Sequence, residues 1–407
     1  MLQHCNTMEI KQLTQRGLER RLKRRLTSRL QKFAVITTPG FEPVTREEIE
    51  SVVNPSGFRL ENGILEFEAP FDAVYRLNLH LRTASRILLR IDSFTARSYP
   101  ELFNKLHRIP WELHTGFHPD IGFVVSSRSS RMHHTGTLCK TVFDAINDYM
   151  VRMGVKKTCV KTSPHTVFVR MHEDRCTLSM DTTGPLLYKR GYRPNIAGAP
   201  LRETTAAALL IASHWERYEV IADPCCGSGG IIIEALRMAS GIPPGSRRDF
   251  AFTSWPAYSV PHWNHCRKIA LQEGTGRSVR LFAGDINEKA ITSIERNLSS
   301  VSDPEVAIHS EVRCADCLEF NRDGAYGRNG LLISNLPFGK RISVDGGIRH
   351  FHRSLGVALR KHCAGWSFGF LVADPQFERQ SGLKCTTALV FRNGGIPVRF
   401  VTGKIPG

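Results

Sequence analysis

The chain has 407 residues, 41% of them hydrophobic and 23% charged, and 55 Lys and Arg against 38 Asp and Glu give a formal net charge of +17. This length and composition predict roughly two to four globular domains, which excludes disulfide-stapled miniproteins, collagen and wholesale disorder. No run of about 18 apolar residues occurs, so we expect no membrane partner. The positive surplus predicts a polyanionic partner, first of all nucleic acid, because neutralising phosphates releases condensed counterions.

Residues 1–32 form a basic segment with nine Lys and Arg against two Glu. Leu18, Leu22, Leu26 and Leu30 recur at every fourth position, which predicts one apolar face of an amphipathic helix. We interpret the segment as an extension. As a transit peptide it would direct the protein to the mitochondrial matrix, and as an RNA-binding arm it would suit a cytoplasmic protein as well. A solvated helical tail without a specific role is the third alternative.

Residues 33–95 follow as a small αβ module. Asn62-Gly63 is typical of a tight hairpin turn, and the remaining pattern predicts short strands and helices. In chain order we predict a strand from Phe33, a helix over Glu42–Val53, a hairpin around Asn62-Gly63, a helix over Phe71–Leu81 and a strand over Arg86–Asp92.

Residues 96–188 form a second αβ module, in which a basic face is predicted to hold RNA. The pattern predicts a helix, a strand, a long helix and a hairpin that turns at Glu173-Asp174. Within residues 121–170, eight Lys and Arg stand against two Asp. A solvated basic face is the alternative to phosphate contact for this set: Arg128, Arg131, His133, His134, Lys140, Arg152, Lys156, Lys157 and Lys161.

Strands and helices alternate regularly from about residue 201, which predicts a doubly wound, mostly parallel sheet. The exception is a hairpin around Asn393-Gly394 near the C-terminus, which makes one strand antiparallel. The stretch Ile242–Trp263, rich in Pro and Trp, reads as an insertion between two strands.

The eleven cysteines are odd in number and scattered, which is typical of reduced thiols. Cys314 and Cys317 form one CxxC pair, but a structural zinc needs four ligands and no second pair accompanies it. We therefore predict ordinary core thiols and no metal site. Cys225 and Cys226, beside a glycine loop, are interpreted in the same way.

The strongest local signal is the segment Asp223-Pro224-Cys-Cys-Gly227-Ser228-Gly229, which follows a predicted strand and opens a predicted helix. Its glycines let the backbone approach a cofactor closely. The segment lacks the Lys of a Walker A loop and the Gly spacing of a dinucleotide fold. Asp223 at the strand end suits a cationic ligand better than a pyrophosphate.

Three later strand ends also carry polar side chains. Asp285 is placed where a carboxylate can accept hydrogen bonds from both hydroxyls of a ribose, and Asp316 could accept one from an adenine amino group. The fourth strand ends in Asn335-Leu336-Pro337-Phe338. The Asn side-chain oxygen and the Leu carbonyl offer two acceptors, and Phe338 offers a stacking face, which together can grip an exocyclic amine.

In combination, these motifs resemble the S-adenosylmethionine-dependent amino-methyltransferases with a Rossmann-like sheet. Further phrases, such as Ile109-Pro-Trp and Phe250-Ala-Phe-Thr-Ser-Trp-Pro, extend the likeness from Phe33 nearly to the C-terminus. They are similar to the bacterial THUMP-domain methyltransferases that make N2-methylguanosine in large-subunit ribosomal RNA. That family usually has Pro where this chain has Leu336, whose carbonyl keeps the acceptor, and Thr where it has Gly230.

The resemblance implies an α/β fold with four parts: an extension (1–32), a ferredoxin-like domain (33–95), a THUMP RNA-binding domain (96–188) and a methyltransferase domain (189–407) with a seven-stranded, mostly parallel sheet. S-adenosylmethionine is the implied cofactor. Its implied binding residues are Asp223, Pro224, Gly227, Ser228, Gly229, Asp285 and Asp316. The flipped guanine would be held by Asn335, Leu336, Pro337 and Phe338.

The implied function is methylation of N2 of a guanosine in large-subunit ribosomal RNA. The implied partner is ribosomal RNA or a pre-ribosomal large-subunit particle, and an accessory protein stays open. One alternative is a ribosome-assembly factor that keeps the fold with little or no turnover. Methylation of DNA or protein is a more distant alternative.

Overall fold

The computed structural model describes residues 14–192, 201–272, 276–301, 310–321, 329–337 and 347–407, which are organised around an eight-stranded and a seven-stranded β-sheet. The elements of the first part of the chain are α1 (Gln15–Leu22), β1 (Leu30–Thr37), α2 (Glu42–Val52), β2 (Ser56–Glu61), β3 (Ile64–Pro70), α3 (Ala73–His80), β4 (Ala84–Thr95), α4 (Tyr99–Leu106), α5 (Glu112–Thr115), β5 (Asp120–Arg128), α6 (Thr135–Val151), β6 (Thr158–Cys159), β7 (Thr166–His172) and β8 (Arg175–Asp181).

The two αβ modules expected before residue 189 share one continuous sheet, with strand order β2-β3-β1-β4-β8-β7-β5-β6. The long strand β4 joins them, because it pairs with β1 over its first half and with β8 from Leu88 to Thr95. Both predicted hairpins are present. Glu173 and Asp174 adopt φ values of 49° and 60° between β7 and β8, as a two-residue primed turn requires.

The basic N-terminal segment is packed on the body from Gln15 onward. Thr14 caps α1 by accepting a hydrogen bond from the Gly17 amide at 3.1 Å. Leu18, Leu22 and Leu26 are buried, as the spacing predicts, and fully burying a Leu contributes about 1.5–3 kcal/mol. Leu30 does not share this face.

Leu30 begins β1 and is 57% exposed, because the helical segment ends at Thr27, before this residue. We call residues 15–29, which comprise α1, the π-helical turn Lys23–Thr27 and the approach to β1, the N-terminal arm. Residues 1–13 lie outside the described residues. Import into mitochondria therefore stays a prediction that rests on the charge of the segment.

The second sheet belongs to the C-terminal part of the chain. Its elements are α7 (Glu203–Ala212), β9 (Val220–Asp223), α8 (Gly230–Ala239), α9 (Val260–Gln272), β10 (Arg280–Asp285), α10 (Glu288–Val301), β11 (Ser310–Cys314), β12 (Gly330–Asn335), α11 (Gly347–His362), β13 (Ser367–Val372), α12 (Phe377–Ser381), β14 (Thr386–Asn393) and β15 (Ile396–Lys404). The strand order is β11-β10-β9-β12-β13-β15-β14, and β15 runs antiparallel to both of its neighbours. The predicted seven-stranded sheet with an antiparallel strand is confirmed.

Strands β9 and β12 lie at the centre of this sheet and read as continuous apolar runs because both of their faces are covered by helices. Strands β9, β10, β11 and β12 are parallel, so their carboxyl ends meet at one edge of the sheet. Ligands of open α/β sheets bind outside this edge. The polar strand ends singled out in the sequence are therefore brought together by topology.

Helices α9 and α11 were not predicted. Helix α9 overlaps the end of the predicted insertion, and of its residues only Trp263 and Ala270 are buried, so its apolar periodicity is weak. The insertion packs on the first module through an aromatic cluster of Tyr75, Phe252 and Trp263. No described helix is both long and apolar enough to span a bilayer.

A buried charged group connects the two halves of the molecule. Glu234 of α8 is fully buried and pairs with Arg190 and with Arg82, the latter at 3.0 Å. Tyr192 donates a hydrogen bond to Glu234 Oε2 at 2.6 Å. Burial alone would raise the pKa of Glu234, but Arg190 and Arg82 hold it down at about 2. The carboxylate is therefore ionised at neutral pH.

Candidate active site at the carboxyl edge of the second sheet

Asp223 ends β9 in the middle of the carboxyl edge and is 2% exposed. Its Oδ1 accepts hydrogen bonds from Ser334 Oγ at 2.6 Å and from the Cys225 amide at 3.1 Å. Burial raises the pKa of Asp223 to about 7, although both hydrogen bonds act in the opposite direction. No Lys or Arg of the described ranges pairs with this carboxyl, so the position favours a cationic ligand.

The loop after Asp223 turns through two glycines in the left-handed region, Gly227 at φ 53° and Gly229 at φ 81°. A Cβ on Gly229 would overlap the side chain of Ile294, whereas one on Gly227 would have no neighbour within 4 Å. Gly229 therefore permits the close packing of the start of α8 against Ile294 of α10, whereas Gly227 borders open space. Pro224 and Ser228 are buried parts of the same loop, and the Ser228 carbonyl accepts from Asn297 Nδ2 at 3.3 Å.

Asp285 ends β10 and ties the glycine loop to that strand. Its Oδ2 accepts from the Gly227 amide at 2.8 Å, and its Oδ1 accepts from the Asn287 amide at 2.9 Å. A carboxylate has about four lone-pair sites, so acceptors remain for ribose hydroxyls. Asp316 lies two residues beyond β11 rather than at its end, and its Oδ1 accepts from the Leu318 amide at 2.9 Å, where it caps a short 3-10 turn.

Asn335 is the last residue of β12, and its Oδ1 is buried without a hydrogen-bond partner among the described residues. An unsatisfied buried oxygen costs about 1–3 kcal/mol, which points to a donor that the protein itself does not supply. Leu336 is 1% exposed and its side chain belongs to the core, so only its backbone can serve a ligand. Pro337 is half-buried, and Phe338 lies outside the described residues.

Two residues that the sequence analysis gave no role belong to this edge. Ser334 fixes Asp223 through the hydrogen bond described above, a contact between residues 111 positions apart that no local pattern reveals. Ile286 follows Asp285 directly and is 73% exposed. An apolar side chain at this place could cover the flat face of an adenine. The available signal was an apolar residue immediately after a strand-end carboxylate.

The residues predicted to contact RNA fall into separate groups. Arg128, Arg131, His133 and His134 are exposed at the carboxyl end of β5, and we call them the β5 cluster. Lys140 follows on α6, exposed and paired with Asp144 at 2.6 Å.

Lys156 and Lys161 flank β6, beside the opposite end of β5. The nine residues of β5 separate the two ends by roughly 26 Å at a rise of about 3.3 Å per residue. Lys157 does not belong to the RNA-facing set. It is 2% exposed, and its Nζ donates to the Gly116 and His118 carbonyls, so it cannot reach a phosphate.

Residues 190–399, more than half of the chain, match the family model described as RMKL-like, methyltransferase domain. The chain belongs to this methyltransferase family. Residues 32–88 also match the RlmL ferredoxin-like domain. The second match begins within β1 and ends within β4, and it confirms the ferredoxin-like fold expected there.

This RMKL-like methyltransferase is also similar to two named proteins and to one solved structure. The Bacillus subtilis protein named "Putative RNA methyltransferase YpsC" is 28% identical over 90% of this chain and 94% of its own length. The ribosomal RNA large subunit methyltransferase K/L of Pseudomonas paraeruginosa is 29% identical over 91% of this chain, which spans only 53% of that enzyme. The crystal structure of SMU.472, complexed with SAH, has a TM-score of 0.80 at 26% identity and covers 92% of this chain and 98% of its own.

The cofactor of this RMKL-like methyltransferase is S-adenosylmethionine, and the residues present fit it. Asp223 would offer the ammonium group of the methionine part a buried carboxyl that pairs with no cationic side chain of the described ranges. Gly227 borders open space where a larger residue would intrude, and Asp285 keeps lone pairs for a ribose. Asp316 is the remaining acceptor on the side of β11.

Proposed function

We propose that this protein methylates the exocyclic N2 of a guanosine in large-subunit ribosomal RNA. The observation that carries the proposal is the Oδ1 of Asn335, which is buried without a hydrogen-bond partner among the described residues. Asn335 lies two residues from the Pro337 peptide and one from Ser334, which holds Asp223. An acceptor in this position suits an amine that enters with its N–H groups unpaired. A flipped-out base brings such an amine.

When bound, S-adenosylmethionine supplies a methyl group made electrophilic by a positively charged sulfur. The amine of a purine is a weak nucleophile because its lone pair conjugates into the ring. Asn335 Oδ1 accepts one N–H of the amine, and the backbone carbonyl of Leu336 accepts the other. Holding both N–H groups turns the lone pair out of the ring plane, and the same oxygens stabilise the positive charge that develops on nitrogen.

RNA as the substrate is supported by the names of the relatives and by charge. The relatives include a protein named "Putative RNA methyltransferase YpsC" and a ribosomal RNA large subunit methyltransferase. The net charge of +17 and the exposed β5 cluster suit a phosphate backbone. We infer that residues 96–188 act as a THUMP domain and that the β5 cluster and Lys140 contact the RNA of a pre-ribosomal large-subunit particle.

The full chain, incubated with labelled S-adenosylmethionine and an unmodified transcript of large-subunit ribosomal RNA, tests the proposal after digestion to nucleosides and mass spectrometry. We expect label in N2-methylguanosine. Label in N6-methyladenosine would overturn the choice of base. Full cofactor binding without label in any nucleoside, from transcript or from pre-ribosomal particles, would favour the assembly factor without turnover.

A further inference from the structure

An open pocket of about 700 Å³ lies between the N-terminal arm, strand β4 and the α4–α5 connection, away from the carboxyl edge of the second sheet. Arg24, Arg25 and Arg29 line it from the arm, and Arg108 lines it from the connection. We call it the arm pocket. The three walls come from parts of the chain that are far apart in sequence, so the cluster of arginines exists only in the folded protein.

The arm is held firmly enough to present these arginines in one place. Its buried leucines fix one face, and Arg21 pairs at 2.6 Å with Glu112 of α5, whose side chain is fully buried. Tyr149 donates to the other oxygen of Glu112 at 2.7 Å. Gln31 Nε2 donates to the Leu26 carbonyl at 2.8 Å and closes the turn that carries Arg24 and Arg25.

The charge of the arm pocket is largely uncompensated. The guanidinium groups of Arg24, Arg25, Arg29 and Arg108 form no ion pair or hydrogen bond with the part of the chain that the structure describes, and all four residues are exposed. The carboxylate of Asp92 is the acidic group of the lining. Like charges gathered in one concavity raise the local potential and favour an anion.

A fifth arginine of the lining is already neutralised. Arg90 pairs with Glu66 at 2.6 Å and donates to Ser179 Oγ at 2.8 Å, so it shapes the wall of the pocket without adding free charge. His114 also lines the pocket, and burial lowers its pKa to about 4, so it is neutral at physiological pH. The anion affinity of the pocket therefore comes from its four exposed arginines and not from His114.

The arm pocket and the β5 cluster lie toward the same end of the first sheet. Thr95 at the end of β4 pairs with Arg175 of β8. Arg175 pairs with His172 of β7, and His172 pairs with Arg128 of β5. The separation between Asp92 of the pocket and Arg128 of the β5 cluster is roughly 15–20 Å, because it comprises three spacings between strands and three residues along β4. That distance corresponds to on the order of five nucleotides of a duplex strand.

We propose that the arm pocket binds phosphodiester groups of the substrate RNA and is a second anchoring site beside the β5 cluster. The proposal rests on the proposed RNA methyltransferase function. Planar guanidinium groups match phosphate oxygens in pairs of hydrogen bonds, which a concave cluster of four can provide along a backbone. The arm thus holds RNA by a pocket that it forms with the body rather than as a free tail.

The test compares two triple variants of the full chain with equal loss of charge. The pocket variant carries Arg24→Gln, Arg25→Gln and Arg29→Gln, and the control carries Arg16→Gln, Arg20→Gln and Lys23→Gln, which lie on the same arm outside the pocket. Gln keeps much of each aliphatic stem, so the packing of the arm is preserved. Matching thermal unfolding midpoints would show that both variants fold.

Filter binding of a labelled large-subunit ribosomal RNA transcript is measured at KCl concentrations between about 50 and 200 mM. Phosphate contacts make the affinity strongly dependent on salt over this range. We expect the pocket variant to bind the RNA at least about tenfold more weakly. The slope of log affinity against log KCl concentration should become less steep by about two in the pocket variant and by less than about one in the control. Equal losses in both variants, or no loss in either, would overturn the pocket. Stronger competition by polyglutamate than by RNA would overturn the assignment to a phosphate backbone.

Methyl incorporation into the same transcript separates this proposal from the function on which it rests. We expect the pocket variant to keep the parent's kcat and to raise KM for RNA at least about tenfold, in line with the lost affinity. An unchanged KM in the pocket variant, with normal incorporation by the parent, would contradict RNA binding by the arm pocket and leave the proposed function intact. Absence of incorporation by the parent protein would sink the proposed function.

Discussion

Among single residues, Asp223 has the most unusual environment in the candidate active site. Burial raises the pKa of its carboxyl to about 7, so the group is about half ionised near neutral pH in the protein without cofactor. An ammonium group placed beside it favours the ionised form. Cofactor binding should therefore release a proton from Asp223.

We predict that the affinity for S-adenosylmethionine rises about tenfold between pH 6 and 8 and levels off above, because only the ionised Asp223 pairs with the ammonium group. Calorimetry across this range, in buffers of different ionisation enthalpy, measures both the affinity and the released proton. The Asp223→Asn variant should bind weakly and without this pH dependence. A pH-independent affinity of the parent protein would contradict the assigned role.

The sequence alone predicted that Asp223, Asp285 and Asn335 stand at strand ends, because strand periodicity and glycine loops are local signals. It placed Asp316 at a strand end as well, and that residue lies two positions beyond β11. It could not predict that Ser334 holds Asp223, or that no described residue donates to Asn335 Oδ1, since both depend on the pairing of β9 with β12. The burial of Lys157 was missed because it too depends on contacts between residues far apart in sequence. Its carbonyl partners come from residues 39 and 41 positions away.

At the scale of elements, the N-terminal arm shows both the strength and the limit of helical periodicity. The leucine spacing predicted an apolar face, and the structure adds the surface that covers it. Leu30 fits the spacing but leaves the helix, because the chain enters β1 there. Helix α9 shows the opposite limit, since few of its residues are buried and its pattern is weak.

Replacing Leu22 by Ala should lower the free energy of unfolding by about 2–4 kcal/mol, because the side chain is 5% exposed and its loss leaves a cavity. Chemical denaturation of the full chain measures this change. The Leu30→Ala variant is the matched control and should stay within about 0.5 kcal/mol of the parent, since Leu30 is 57% exposed. Equal effects of the two substitutions would contradict the packing of the arm.

On the scale of the whole molecule, the two sheets are joined by contacts that cross the boundaries read from the sequence. Phe41, just before α2, packs edge-on against Phe391 of β14 at 4.7 Å. A Cβ on Gly40 would overlap the Val390 carbonyl, so the backbones meet closely. The Glu234 group adds a charged connection from the first module to α8, the helix that opens at the glycine loop.

Glu234→Gln should lower the free energy of unfolding at neutral pH by about 3–5 kcal/mol, because it leaves buried Arg190 without its counter-charge. Chemical denaturation tests this, with the exposed Glu295→Gln as control within about 0.5 kcal/mol of the parent. The pKa of Glu234 is lowered from 4.5 to about 2. Its contribution is therefore complete above pH 4.5 and is lost as the pH falls toward 2, so parent and variant should converge in acid. A constant difference between them would contradict the ion pair.

The most direct test of the amine-gripping site is the single-turnover rate of methyl transfer to RNA by the parent, Asn335→Ala and Asn329→Ala. Asn329 precedes the same strand at its opposite end, where its Nδ2 donates to the Arg217 carbonyl at 2.6 Å. We predict a loss of about 100-fold for Asn335→Ala, with cofactor and RNA affinity within a few-fold of the parent, and a parental rate for Asn329→Ala. A parental rate for Asn335→Ala would contradict the account.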